Sequence, residues 1–136
     1  MNWTQRLFDM LIYQKRVFPE DLQMNPSVYY LFADNDNRSG HLQFRQNNNF
    51  VGIRVKKDEH AFDNSYWSDA TYDANVLKIK HDFKIVNSLL LELAPVVYSN
   101  ETFDINVSEY FKISPKTWAY IEKYMQNIQL LSEKKM

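Results

Sequence analysis

The chain contains no cysteine, which excludes disulfide scaffolds, thiolate zinc sites, iron–sulfur clusters and cysteine nucleophiles together. It has only two glycines, Gly40 and Gly52, too few for a glycine-rich loop that brings backbone close to a phosphate. No excess of charge of one sign is present. Lys plus Arg is 16 and Asp plus Glu is 17, so the formal charge is −1, and the basic surplus of a dedicated nucleic-acid binder is missing. No apolar run approaches the ~18 residues of a membrane span, because Leu89-Leu90-Leu91 is broken at Glu92. The first residues show neither an unbroken apolar stretch nor a small-residue cleavage site, so the reading is a cytoplasmic protein.

What is present is a chain of 136 residues, 45% hydrophobic and 15% aromatic, enough for one hydrophobic core. The expectation is a single domain over residues 1–136. Trp3, Leu7, Met10 and Leu11 recur at three-and-four spacing and predict an amphipathic helix over 3–17, stopped by Pro19. Residues 28–32 combine aromatic and β-branched side chains and predict a strand. Residues 34–40 are dense in turn formers. Segments 41–46 and 50–57 then flank three asparagines. A two-residue turn at Asn48-Asn49 sets Phe44 opposite Ile53 and Leu42 opposite Val55, predicting a hairpin with one apolar and one polar face.

After a polar and aromatic connector at 58–70, Tyr72, Val76, Ile79, Phe83, Val86, Leu90 and Leu93 keep strict four-three spacing. This predicts a long helix capped by Ser68 or Asp69 and ended by Pro95, with Leu77, Leu89 and Leu91 off the stripe, implying burial on more than one face. Residues 96–98 and 102–107 predict two short strands, with Phe111 and Ile113 continuing the second. Ser114-Pro115 starts a closing helix through Trp118, Ile121, Met125, Ile128 and Leu131. The predicted order is α-β-β-β-α-β-β-α, an α+β two-layer domain with a mainly antiparallel sheet and helices packed on one face. This order looks like that of the small type III secretion chaperones. That resemblance implies a homodimer escorting an effector segment.

Candidate sites follow from residue chemistry. Asn35-Asp36-Asn37-Arg38-Ser39-Gly40 resembles the start of a calcium loop, but its twelfth position is Gln46, which lacks the required charge, so a turn is expected and no metal. The polar hairpin face collects His41, Arg45, Arg54 and Lys56. Such a face would grip an acidic surface, or serve a metal-free ribonuclease with a histidine base and arginines on the phosphate. In the connector, Tyr66, Trp67 and Tyr72 alternate with Asp63, Asp69 and Asp73. Aromatic anchors ringed by carboxylates suit a basic protein partner, since rings carry most interface energy and acids select the partner's charge. With no cofactor motif, the favoured expectation is a non-enzymatic inhibitor. The type in view is a cytoplasmic bacterial immunity protein neutralising a basic toxin or nuclease domain. The secretion-chaperone and ribonuclease readings stand as alternatives.

Overall fold

The structure, a computed structural model, describes residues 11–102 and 107–135. Its strands are β1 (Leu11–Tyr13), β2 (Tyr29–Asn35), β3 (Phe50–Lys56) and β4 (Val96–Tyr98). Its helices are α1 (Pro19–Met24), the single-turn α2 (Leu42–Arg45), α3 (Tyr72–Leu91), α4 (Val107–Ile113) and α5 (Pro115–Lys135). Two short 3₁₀ turns, Asp63–Ser65 and Asp69–Thr71, precede α3. The sheet has the order β1-β4-β2-β3, and every strand pair in it is parallel.

The expectation of a mainly antiparallel sheet is therefore wrong. Residues 42–45 form a helical turn rather than a strand, and this turn lies in the crossover that returns the chain to the start of β2. Parallel pairing needs such a crossover, whereas a two-residue turn forces antiparallel pairing. Alternation along Phe50–Lys56 is real, with Val51, Ile53 and Val55 all buried. Period-two patterning reports which face is inside and is silent on strand direction. The asparagines after α2 serve another purpose: the buried Asn49 amide nitrogen lies 2.9–3.0 Å from the carbonyl oxygens of Leu22, Asn25 and Val28. It ties the end of α1 to the head of β2 and satisfies buried acceptors.

Helices cover both faces, not one. Leu31, Ile53, Val55, Val96 and Tyr98 meet Ile79, Phe83, Val86 and Leu90 of α3, Tyr110 of α4, and Trp118 and Ile121 of α5. On the other face Tyr30, Phe32 and Val97 form a smaller cluster with Val17, Leu22 of α1 and Phe44 of α2. Burial on both sides explains why β2 reads as a nearly continuous apolar run.

The predicted helix at 3–17 is overturned over its described part. Residues 11–13 are a strand paired with β4, while Trp3, Leu7 and Met10 lie outside the described residues. Strand β4 sits inside the sheet, so its second row of backbone groups needs a partner, and Leu11–Tyr13 supplies one. Pro19 begins a helix instead of stopping one. It occupies the first turn of α1, where the missing N–H costs nothing, and Asp21 accepts from the Phe18 N–H at 2.9 Å. The predicted strand at 102–107 falls largely on residues outside those described, but Phe111 and Ile113 belong to α4. With this element order the likeness to secretion chaperones has no footing.

Helix α3 follows the four-three stripe, with Ile79, Phe83, Val86 and Leu90 buried. Leu77 and Leu91 are exposed, against the expectation of burial on several faces. Ser68 caps the 3₁₀ turn that leads into the helix by accepting from the Ala70 N–H at 3.1 Å. The C-terminus closes as a Schellman motif: Ala94 N–H donates to Leu89 O at 2.9 Å and Leu93 N–H to Leu90 O at 3.0 Å. Pro95 follows. Helix α5 starts at Pro115 and buries Trp118 and Ile121, while the side chains of Met125, Ile128 and Leu131 lie outside those described. No helix among the described residues is long and apolar enough to cross a membrane.

Leu93 holds the left-handed position of that motif at φ 61°, where glycine is the usual residue. Leu93→Gly and Leu93→Ala both delete the side chain, so their difference isolates the backbone. In urea unfolding the glycine variant is expected to be more stable than the alanine variant by about 1 kcal/mol.

Candidate functional site

Ligand sites in parallel sheets form where the chain leaves the carboxyl ends of the strands. Here a cleft of ≈ 780 Å³ opens at that end, lined from β2 by Ala33, Asp34 and Asn35 and from β3 by Val55 and Lys56. The loop after β2 contributes Ser39, Gly40 and His41, the connector Glu59, Ala61 and Tyr66, and the far wall Glu101 and Ser108.

The β2 loop is held in an unusual shape. Arg38, Gly40 and His41 all have positive φ, at 52°, 79° and 51°. For arginine and histidine this costs energy that the surroundings must offset. Asn35 does so from below: its Oδ1 accepts from the Asn37 and Ser39 N–H groups and the Ser39 hydroxyl, and its Nδ2 donates to Ser39 O at 2.9 Å. The reversal sends Arg38 back across the free edge of β3. It donates there to Gly52 O at 2.9 Å, to Asp34 Oδ2 at 3.0 Å and to Asp82 Oδ1 at 3.0 Å.

Asp34 and Asp82 are wholly buried side chains. Arg45 forks onto Asp34 with contacts of 2.5 and 3.2 Å, and Arg54 forks onto Asp82 with contacts of 2.9 and 3.1 Å. Asp82 also accepts from the Arg54 N–H at 2.8 Å. Helix α3 and Arg38 thus occupy backbone groups of β3 that a further strand would otherwise use, which protects the edge from pairing with another chain. Burial raises the Asp34 carboxyl's pKa, but the hydrogen bonds from Arg45 and Arg38 together outweigh it and hold the group below the ordinary carboxylate range. Gly52 is required by this arrangement. A Cβ there would lie 2.2 Å from Asp34 Oδ2.

The residues singled out from the sequence fall in two groups. His41, Arg45, Arg54 and Lys56 do not share the polar face of a hairpin, since there is no hairpin. Arg45 and Arg54 are committed to the buried aspartates, the His41 ring nitrogen Nε2 is hydrogen-bonded to Ala33 O at 2.9 Å, and Lys56 donates to His60 O at 2.7 Å. A phosphoryl transition state would find both arginines already engaged.

In the connector, Tyr66 and Trp67 are core residues. Trp67 donates from Nε1 to Asp36 Oδ2 at 2.9 Å, and the same oxygen takes Lys78 Nζ at 2.9 Å. Asp69 organises the start of α5, accepting from the Lys116 and Thr117 N–H groups at 3.0 and 2.9 Å. Burial opposes its ionisation, and those bonds prevail, lowering its pKa. Tyr72 is half-buried edge-on to Tyr120 with Lys116 Nζ 4.5 Å from its ring. Asp63 and Asp73 are exposed.

Asp34, Asp82 and Glu101 are not among the site residues expected from the sequence. Gly52, alone inside a strand pattern, was the available signal, because an isolated strand glycine marks a close approach. Among the described residues no group of three or more histidines and acids is arranged to hold a metal ion.

Two outcomes test this construction. Gly52→Ala should lower unfolding free energy by about 3 kcal/mol, and by clearly less in an Asp34→Ala background, where the carboxylate clash is gone and only the 3.0 Å approach to the residue-34 Cβ remains. Because the Asp34 pKa is depressed on folding, its ionised form stabilises the protein above the unfolded value of about 3.9 and that contribution disappears as pH falls further. The stability gap between wild type and Asp34→Asn, followed by urea midpoints, should therefore narrow below about pH 4.

No curated protein and no solved structure matches the chain. Residues 12–124, which hold all of the sheet but Leu11, the charged cluster and every residue lining the cleft, do match a family model, and the chain belongs to that family, a family of unknown function (DUF7831).

Proposed function

We propose that this protein acts by binding and not by catalysis, as an inhibitor that holds a basic toxin or nuclease domain in the manner of a bacterial immunity protein in the cytoplasm. The observation that carries the reading is a contrast between inner and outer acids at the sheet's carboxyl end. Asp34, Asp36 and Asp82 are all ion-paired within the fold. Glu59, Asp63 and Glu101 take part in no ion pair among the described residues; Glu59 and Glu101 line the cleft, and the exposed Asp63 follows two residues after the lining Ala61. Next to Asp63 in the chain, Phe62 is 66 % exposed, its ring steadied by His60 at 5.4 Å between centroids.

An exposed ring among carboxylates is the composition expected of an anchor for a basic surface: the ring excludes water and the acids set the partner's sign. Of the connector residues named from sequence, Asp63 and Asp73 stay available to such a partner, whereas Tyr66, Trp67 and Asp69 support the surface from within. The cleft gives a basic side chain of the partner a polar place to enter.

The test is capture of a basic protein from the native host by the intact chain, followed by titration of that purified partner. Glu59→Lys with Glu101→Lys, and separately Phe62→Ser, should each weaken binding by at least about tenfold while leaving the melting curve in place. Full affinity in both variants would remove the site assignment. Turnover of RNA by the purified chain would replace the reading with the enzymatic alternative.

A further inference from the structure

Helix α3 carries a second line of residues that neither the core nor the cleft uses. Leu77, His81, Lys84, Ser88 and Leu91 succeed one another at four-three-four-three spacing, and all five are exposed. At about 100° per residue this line lies opposite the buried Ile79, Val86 and Leu90. Leu77 is 68 % exposed and Leu91 58 %, with Ile85 at 44 % on the flank. The two leucines stand about 21 Å apart along the axis.

The electrostatics of the face are one-sided. From residue 74 to residue 91 the only carboxylate is Asp82, which is buried and held by Arg38 and Arg54. Lys80 and Lys84 are exposed beside His81, and acids appear only at the two ends, as Asp73 and Glu92. A chain with a formal charge of −1 thus concentrates positive charge along one apolar-tipped ridge.

We propose that this outer ridge of α3 docks an acidic amphipathic helix of a partner protein. The partner's apolar side chains cover Leu77, Ile85 and Leu91, and its carboxylates meet Lys80 and Lys84. Four-three spacing is the repeat by which one helix packs along another, and a rigid helix of the same pitch reaches both leucines at once. A lipid surface fits less well. Helices that lie in a membrane interface present a continuous apolar body with cations at its rim, whereas here Lys84 and His81 sit on the central line and the leucines at its ends. The ridge is a different surface from the acidic cleft mouth, so its docking role stands or falls independently of the inhibitor reading.

The probe is a synthetic acidic helical peptide with leucines at four-three spacing and glutamates beside them, followed by fluorescence anisotropy against the full chain at low salt. Saturable binding is expected, weakened about tenfold by Leu77→Ser with Leu91→Ser and to a similar degree by Lys80→Glu with Lys84→Glu. Circular dichroism melts of both variants should match wild type, because all four positions are exposed. A peptide of the same composition with scrambled leucines should bind at least about tenfold more weakly. No binding by wild type, equal binding by the variants, or equal binding of the scrambled peptide would overturn the proposal. So would binding to equimolar phosphatidylcholine–phosphatidylserine vesicles without binding to the peptide, which would assign the ridge to a lipid surface.

Discussion

The carboxyl end of this sheet depends on the burial of two aspartates under three arginines. A lone carboxylate in that position would be prohibitively costly, and one removed partner would leave a charge stranded in low dielectric. Arg38 is shared by both acids, so the β2 loop, the edge of β3 and the middle of α3 are joined through one guanidinium. Three local oddities follow from that junction. Arg38 accepts a left-handed backbone, Gly52 gives up its side chain to make room for Asp34, and Asp82 interrupts the apolar stripe of a core helix.

The same junction determines which charges remain for function. Arginines that sequence reading would hand to a phosphate or an acidic partner are consumed in holding the sheet edge, and Asp69 is consumed in starting α5. What stays outside is a cleft lined by Glu59 and Glu101, an exposed Phe62 next in the chain to its lining Ala61, and, on another element, a ridge carrying Lys80 and Lys84 between leucines. Interior pairing of opposite charges thus leaves Glu59 and Glu101 at the cleft and Lys80 and Lys84 on α3 as separate groups, unpaired among the described residues, although the chain as a whole is nearly neutral. Separated fields of this kind steer partners and set their orientation.

Core packing has its own division of labour. The face under α3, α4 and α5 carries the large contiguous cluster, where Tyr110 donates to Val55 O and burial pushes its phenol pKa up. The opposite face is thinner, closed by a six-residue and a four-residue helix around Phe32, which stacks on Phe50 at 4.6 Å and meets Phe44 at 4.9 Å. Asn49 compensates there, replacing apolar bulk with hydrogen bonds to three carbonyls.

Long-period apolar patterning was legible from residues alone. The stripe from Tyr72 onward specified α3, Ser114-Pro115 specified the start of α5, and the aromatic run at 28–32 specified the central strand, because each signal arises within a few turns of chain. Strand direction was not legible, since Val51, Ile53 and Val55 alternate identically whether β3 runs with β2 or against it. Nor was the fate of the charges. Asp34 and Arg38 are near neighbours, but Asp82 meets Arg38 across 44 residues of chain, and only the return of α3 along the free edge of β3 decides that these groups neutralise one another instead of facing a partner. Local chemistry selects helix or strand, while the pairing of buried charges is a long-range matter settled by where the elements come to rest.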